Sequence, residues 1–426
     1  MSDLYIKVKS AGTDEWERPD DWLTMPSVTS ADDTFVGLHA VFPTGSNFVA
    51  FTFTTDTGDY EVDWGDGNTD IVASNVQAQH QYDYSTYDTG STTLSSRGYK
   101  QAIITVTPVS GELRTANFQK RYTTTPTINY AYSSGFLDCI LSMPNASTGA
   151  SIKFGGTTVN HNFTQRFDIK TIGNATSMQG MFTECNSLQN IPLFDTSNIT
   201  TMYGMFQSCN SLQNIPLFNT SNVSDMQYMF QGCSSLQTIP LFDTSNVTIM
   251  RSMFTSCNSL QSIPLLDTSG VTSLMNSMFQ GCQALKTIPS LDTSNTTSTY
   301  RMFYACTSLQ IIPSLDTSNS VNMQEMFREC YSLQTVPPLN TTSTNNQANQ
   351  FYYCYSLAKT DIVCRKSVSF QRALLSQSEL VNIFNNLIDL TGLTSQNINI
   401  TQCWGASALT AGERQIATDK NWTITG

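Results

Sequence analysis

The chain has few charged residues and almost no histidine. Charged residues make up 13% of its 426 residues, about half of the usual share, and only three residues are histidine. Ser, Thr, Asn and Gln take their place, which favours an exposed particle or surface protein over a soluble metabolic enzyme. The formal net charge of −12 argues against partners that are nucleic acids or anionic membranes, because both require basic contacts.

Long apolar runs are absent as well. No segment approaches the length that spans a bilayer, and the N-terminus has no basic stretch followed by an apolar stretch. We therefore expect no membrane insertion and no export signal, so that the protein stays in the cytoplasm where it is made. A surface-type composition without an export signal favours a virion protein that is released by lysis.

Recognisable catalytic motifs are also missing. His39, His80 and His161 are scattered, and the chain has no Gly-x-Ser-x-Gly turn, no phosphate loop and no Cys-x-x-Cys pair. Paired carboxylates of the glycosidase type remain open. We expect a protein that is not an enzyme and that needs no cofactor and no metal.

What the chain does contain is a repeat that fills its middle. Seven near-copies of Met-Phe-x-x-Cys-x-Ser-Leu-Gln-x-Ile-Pro-x-Leu/Phe-Asp-Thr-Ser-Asn follow one another, with cysteines 24 residues apart except for one step of 25. The repeated cysteines, called the cysteine ladder here, are Cys185, Cys209, Cys233, Cys257, Cys282, Cys306, Cys330 and Cys354. A fixed period of this size predicts a solenoid whose units bury their apolar faces against one another.

The cysteine ladder is expected to consist of free, buried thiols. Neighbours in a stack of coils would lie about 5 Å apart, a separation that disulfide geometry permits. A reducing cytoplasm argues against such bonds, and a free thiol commonly fills a small apolar site.

The repeat around Met226 predicts a short helix followed by an extended segment. Met226, Met229, Phe230 and Cys233 follow the i, i+3, i+4, i+7 spacing of a helical stripe. An extended segment, Ile-Pro-Leu-Phe, then leads into the turn Asp-Thr-Ser-Asn that begins at Asp243.

Stacking turns each repeated position into a column on the surface. One column, called the aspartate column, contains Asp195, Asp243, Asp267, Asp292 and Asp316. It is either a cation- or glycan-binding edge or a set of turn caps. A second column, which includes Pro240 and Pro264, predicts a mildly apolar face for a neighbouring subunit.

The residues before the repeats predict an all-β domain. Alternating stretches at 48–53, 60–64 and 102–107 predict strands, and Gly65-Asp66-Gly67 predicts a hairpin turn. Asp63, Asp66 and Asp70 are either turn caps or a calcium loop. The sequence Val62-Asp-Trp-Gly-Asp-Gly-Asn, with the later His80-Gln-Tyr, resembles polycystic-kidney-disease (PKD) domains, although the residues between Trp and Gly are missing. That resemblance implies an immunoglobulin-like sandwich.

The residues before this domain form a polar, irregular arm. Its aromatic residues Tyr5, Trp16 and Trp22 are either part of a poorly ordered tail or exposed anchors on a partner protein.

The repeat itself resembles BspA-like leucine-rich repeats of the Met-Phe-x-x-Cys type. Those repeats occur in bacterial surface proteins and in tail-fibre or virion proteins of bacteriophages. A PKD-like domain before them and no export signal favour the phage group. Two capping boxes, Ser376 with Glu379 and Thr410 with Glu413, predict helices in a closing cap.

These observations predict a mixed α/β fold. The expected parts are an arm (1–33), a PKD-like β-sandwich (34–125), a linker and N-terminal solenoid cap (126–175), a leucine-rich-repeat solenoid (176–360) and a C-terminal α/β cap (361–426). The predicted function is structural or host-adhesive, in a phage virion, with partners among other virion proteins, copies of itself and a host receptor or glycan. Alternatives are a bacterial cell-surface adhesin and an accessory carbohydrate-binding protein.

Overall fold

The chain divides into two compact units, Met1–Asn198 and Ile199–Gly426. The computed structural model describes residues 16–43, 47–88, 92–122, 134–150, 152–156, 159, 161–272 and 274–426.

The described residues of the first unit form two β-sheets. Their strands are β1 Thr34–Val41, β2 Phe48–Thr55, β3 Asp59–Asp63, β4 Thr69–Ala73, β5 Gln77–Gln81, β6 Lys100–Pro108, β7 Leu113–Asn117, β8 Phe136–Ser142, β9 Ile152–Lys153 and β10 Arg166–Thr171. One sheet has the order β10-β8-β1-β6-β3-β4 and the other the order β5-β2-β7-β9. Paired strands are antiparallel except for β8 with β10 and β7 with β9.

An aromatic core joins the two sheets. The ring of Phe35 on β1 lies 6.3 Å from that of Phe51 and 6.1 Å from that of Phe53, both on β2. Strand β3 alternates between exposed and buried residues, as a strand does when one face covers a core. The strands predicted at 48–53, 60–64 and 102–107 are therefore confirmed, whereas the PKD resemblance remains a prediction.

The second unit is a solenoid with a cap. Its regular elements are β11 Thr335–Val336, β12 Lys359–Thr360, β13 Val368–Ser369, α1 Gln377–Asn385, β14 Gln396–Asn399, a 3₁₀ turn Ala406–Ala408, α2 Ala411–Thr418 and β15 Trp422–Thr425. Strands β13, β14 and β15 form a parallel sheet. Isolated parallel bridges, such as Asp225 with Ile249, join the coils before them.

Alternate backbone N–H groups connect neighbouring coils. The N–H of Phe230 donates to the carbonyl of Met253 in the next coil at 3.0 Å. One residue earlier, the N–H of Met229 donates to Met226 in its own coil at 3.2 Å. The following coils repeat this alternation, so the segment is at once a series of tight turns and a ladder between coils.

The prediction of a helix in each repeat is wrong, and so is the mixed α/β fold class. Among the described residues only α1 and α2 are α-helices, with 9 and 8 residues, so the protein is mostly β and its repeats form a β-solenoid. The i, i+3, i+4, i+7 spacing does not distinguish the two structures. A run of turns in which residues four apart are left-handed also directs these positions inward.

Two columns of left-handed residues produce these turns. Their φ angles lie between 54° and 78°. The first column is Gly204, Tyr228, Ser252, Ser277, Arg301, Glu325 and Asn349; the second is Ser208, Gly232, Ser256, Gly281, Ala305, Glu329 and Tyr353. A side chain in this conformation costs about 1–2 kcal/mol, which explains Gly204 in the first column and Gly232 and Gly281 in the second.

The cap continues the solenoid while adding the two helices. Ser376 accepts a hydrogen bond from the N–H of Glu379 at the start of α1, and Thr410 with Glu413 forms a complete capping box at the start of α2. The helix starts predicted from these residues are confirmed. The carboxylate of Glu379 instead accepts from the N–H of Thr360, at 3.0 Å, which ties α1 to the last repeat.

Candidate functional site

Stacked phenylalanine rings fix the spacing of every surface column in the second unit. The rings of Phe230 and Phe254 are 5.8 Å apart and inclined by 11°, and those of Phe279 and Phe303 are 5.6 Å apart and inclined by 3°. Phe370 of the cap extends the stack at 5.1 Å from Phe351. Each outward position therefore recurs at about the same short step along the solenoid.

The cysteine ladder lies beside these rings. All eight thiols are free and fully buried. The thiol of Cys233 donates to the carbonyl of Phe206 at 3.0 Å, and Cys257 donates to Phe230 in the same way. Burial raises the pKa of Cys233 to about 12, so the thiol keeps its proton at neutral pH and is a poor nucleophile.

Each residue of the Asp-Thr-Ser-Asn motif has a separate role in its turn. Oδ1 of Asp243 accepts from the N–H and the hydroxyl of Ser245, at 3.1 and 2.7 Å. The buried hydroxyl of Thr244 donates to the carbonyl of Asp267 in the next coil at 2.8 Å. The side-chain amide of Asn246 donates to the preceding coil. The motif thus caps its own turn and links three coils.

The aspartate column lies on the solenoid surface in these capping positions. Asp195, Asp267, Asp292 and Asp316 each accept the N–H of the serine two residues later, at 2.9 to 3.0 Å. The hydrogen bonds from Ser245 hold the pKa of the Asp243 carboxyl below its usual value, so it is ionised at neutral pH. Among the described residues no group of three or more His, Cys, Asp or Glu is arranged to hold a metal ion. Turn capping accounts for the position of each of these carboxylates, and binding of a cation or glycan by the column stays a prediction.

An exposed leucine column adjoins the proline column, and the sequence analysis missed it. Leu217, Leu241 and Leu265 are 59–63% exposed, whereas the prolines before them are half-buried. The equivalent Leu193 of the first unit is exposed too. The signal in the sequence is the residue after each proline, which is leucine in these repeats and Ser290 in the next one.

Arginine and tyrosine residues cluster on the later coils. Arg301 and Arg328 both contact the carboxylate of Glu325, at 2.6 and 2.8 Å. Burial raises the pKa of Glu325, but the hydrogen bonds from these arginines outweigh it and lower the pKa overall. The guanidinium of Arg328 also lies between the rings of Tyr304 and Tyr352, 5.6 and 5.1 Å from their centroids. Arg328 also pairs with the carboxylate of Glu329 at 3.2 Å, so two carboxylates balance the two guanidinium groups.

A second file of apolar side chains, called the terminal strip, runs along the last coils. It consists of Tyr331, Tyr355, Leu374 and Trp404, which are 37%, 40%, 49% and 70% exposed. Each follows a buried residue of the inner column: Cys330, Cys354, Ala373 and Cys403. The sequence analysis missed this strip because Leu374 and Trp404 lie in cap coils that do not keep the 24-residue period.

The predicted anchoring residues fall in the first unit. Tyr5 lies outside the described residues. Trp16 is partly buried, and its ring lies 6.3 Å from that of Trp22. The expectation that Trp22 is exposed is wrong: it is 4% exposed, and its indole N–H donates to the hydroxyl of Tyr99 at 2.9 Å. Trp22 therefore anchors the arm to its own unit.

The carboxylates of the β3–β4 hairpin serve the turn. Oδ1 of Asp63 accepts the N–H of Gly65, and Oδ2 of Asp70 accepts the indole N–H of Trp64 at 2.8 Å. Asp66 caps Asn68 and pairs with a ring nitrogen of His80 at 2.7 Å.

The other two histidines are in the core of the first unit. Burial lowers the pKa of both His39 and His161 to about 3, so both rings are neutral at physiological pH. The three histidines therefore do not form a nucleophile–base set.

The repeat region matches a known family. Residues 176–287 and 255–363 match the family described as "Mycoplasma protein of unknown function, DUF285". No curated protein matches the chain. Among the described residues no helix has the length and apolar character needed to cross a bilayer. The family match and the observed β-solenoid together fit a BspA-like repeat protein.

Proposed function

We propose that this protein is a non-enzymatic adhesion protein, whose β-solenoid presents binding residues on a rigid surface. The observation that carries the proposal is the difference between the buried residues, which repeat in every coil, and part of the outward residues, which do not. Repeated Met, Phe, Cys and Leu side chains fill the buried interior, while the outward position after each ladder cysteine varies among the coils. Solenoids of this kind offer extended surfaces for binding.

The finer proposal is a host-adhesion or structural component of a bacteriophage virion. A surface with few charges and many Ser, Thr, Asn and Gln residues supports an exposed location, and the family match supports a surface repeat protein. The first unit would attach the solenoid to other virion proteins or to copies of itself. A bacterial cell-surface adhesin is the second candidate, which the same repeat match favours.

Cell binding tests the general proposal. Fluorescently labelled full-length chain is incubated with cells of the source organism and of related strains, and binding is followed by flow cytometry. We expect saturable binding that unlabelled chain displaces and that heat-unfolded chain does not reproduce. Binding that neither saturates nor competes would refute adhesion.

Mass spectrometry of purified particles distinguishes the two locations. Peptides of this chain that co-purify with capsid and tail proteins support the virion. Peptides found instead in the envelope fraction of uninfected cells support the bacterial adhesin.

A further inference from the structure

The last coils of the solenoid carry a surface that the earlier coils lack. Two outward files flank the buried inner column there. One is the terminal strip (Tyr331, Tyr355, Leu374, Trp404), and the other, called the polar file, is Glu329, Tyr353, Arg372 and Gln402. In the coils before them, the equivalent positions hold only small or polar residues, such as Ser256 with Asn258 and Ala305 with Thr307.

Hydrogen bonds place these residues in register. The N–H of Trp404 donates to the carbonyl of Ala373 at 3.2 Å, and the thiol of Cys403 donates to the carbonyl of Phe370 at 3.0 Å. The thiols of the repeats make the same bond to the coil before them, as Cys354 does to Phe327. Coils of irregular length thus continue the repeat geometry.

The aromatic side chains of the terminal strip differ in which part of the ring faces the solvent. Tyr331 and Tyr355 stack on one another at 5.0 Å, which leaves mainly their edges and hydroxyls to solvent. Among the described aromatic residues none stacks on Trp404, which is 70% exposed. Its indole is therefore an open platform at the end of the file. Contiguous exposed apolar patches mark interaction sites, and Trp404 lies at the end of such a file.

The polar file supplies hydrogen-bonding groups next to this platform. Nε of Arg372 donates to Oε1 of Gln402 at 2.7 Å, and the guanidinium lies 5.0 Å from the ring of Tyr353. The planar guanidinium and amide are thus held in place beside the rings. Fixed groups of this kind lose little entropy when they bind a polar ligand.

We infer that the terminal strip and the polar file form a binding site for a neutral, linear glycan. A pyranose ring stacks its C–H groups on the electron-rich face of an indole, and its hydroxyls bond to planar polar groups nearby. The step between coils is comparable to the length of one sugar residue. A net charge of −12 disfavours acidic polysaccharides.

The size of the surface favours a narrow ligand over a folded protein. At the observed exposures of 37–70%, four side chains offer on the order of 400 Å². A stable protein–protein interface buries about 800 Å² on each partner. A file one side chain wide fits a single extended chain. The inference rests on the proposed adhesive function, for which it names the ligand class.

Binding to defined oligosaccharides tests the inference. The full chain is screened on an array of neutral linear glycans that includes cellohexaose, chitohexaose, laminarihexaose and mannohexaose, and calorimetry measures the affinity of each glycan that binds. We expect Trp404→Ala to weaken binding at least tenfold and Trp404→Phe to retain affinity within threefold. Tyr355→Ala should lie between them. Leu241→Ala, at an apolar residue in another column that is 62% exposed, is the matched control and should bind like the unaltered chain.

Several results would overturn the inference. These outcomes are no binding to any glycan on the array, or glycan binding that survives Trp404→Ala in a variant with an unchanged melting temperature. If sedimentation shows self-association that Trp404→Ala abolishes, the strip is an interface between copies. Cell binding that persists in Trp404→Ala would refute this site but not the adhesive function. Glycan binding without cell binding would support this site and refute the adhesive function.

Discussion

The central coils and the last coils of the second unit share an interior but differ in surface. Both bury phenylalanine rings in one stack, which runs from the repeats to Phe370 in the cap. Outside, the central coils present Ser, Asn and Gln beside the cysteines, whereas the last coils present Tyr355, Leu374 and Trp404. The interior is therefore a scaffold that tolerates new surface residues, and binding can specialise at one end without any change in packing.

If the interior is shared, alkaline pH should destabilise all coils in the same way. This loss of stability is the largest effect that we expect. Burial raises the pKa of Cys233, Cys306 and Cys403 from 9.0 to about 12. A folded-state pKa above the unfolded value means that stability is full below pH 9 and is lost as pH rises towards 12. At pH 10 each such thiol should cost about 1.4 kcal/mol.

Urea unfolding between pH 7 and pH 11 measures this loss. The midpoint should fall steeply above pH 9, and Cys306→Ala should show a smaller slope because it has one buried thiol fewer. A midpoint that stays constant to pH 11 would contradict the buried, protonated ladder.

Removing one ring from the phenylalanine stack compares the two regions directly. Phe279 lies in a central coil and Phe351 in the last repeat, and both are fully buried. We expect Phe279→Ala and Phe351→Ala to lower the free energy of unfolding by about 3–5 kcal/mol each, because both leave a cavity. Chemical denaturation checks this, with Leu241→Ala as the exposed control. A much smaller loss for Phe351 would show that the last coils are packed differently.

A buried hydroxyl tests the bonds between central coils. Thr268 donates to the carbonyl of Asp292 at 2.8 Å and is 2% exposed. Thr268→Val keeps the shape and removes the donor, so it should destabilise the protein by about 1–2 kcal/mol. The control is Thr272→Val, at an exposed threonine four residues further along the chain, which should change stability by less than about 0.5 kcal/mol. Equal effects at both sites would argue against a bond between coils.

The smallest expected effect is a gain in stability, whereas the preceding substitutions lower it. Ala305 has a φ of 57°, a conformation that favours glycine. Ala305→Gly should therefore raise the free energy of unfolding by about 0.5–1 kcal/mol. The same exchange at Ala284, which is not among the left-handed residues, should lower it by a similar amount. Thermal denaturation of both variants checks the sign, and a loss at Ala305 would contradict the left-handed turn.

The period of the repeat was sufficient to predict the solenoid and its inward columns, since the spacing of Met226, Met229, Phe230 and Cys233 requires a common face. It was not sufficient to distinguish a helix from a run of turns, because both place these positions on one side. The left-handed angle of Tyr228 decides between them, and an ordinary side chain at that position gives no warning of it.

The candidate site was harder to predict than the fold. Trp404 belongs to the terminal strip because its coil lies in register with the coil of Ala373. Ala373 occupies the position of a ladder cysteine, in a coil of different length. Only the hydrogen bond between their backbones reveals that they are adjacent. Trp22 shows the reverse problem, since an aromatic residue in a polar arm looks exposed until its partner Tyr99 is known.

The even spacing of the phenylalanine rings also determines the length of the solenoid in the second unit. Neighbouring rings in the repeats are 5.5 to 5.9 Å apart, and each coil bonds to the next with the same partners. Duplication or deletion of one whole repeat would therefore lengthen or shorten the solenoid by a single ring spacing and leave every remaining contact in place. The solenoid can therefore gain or lose length in whole coils without a change in its interior packing.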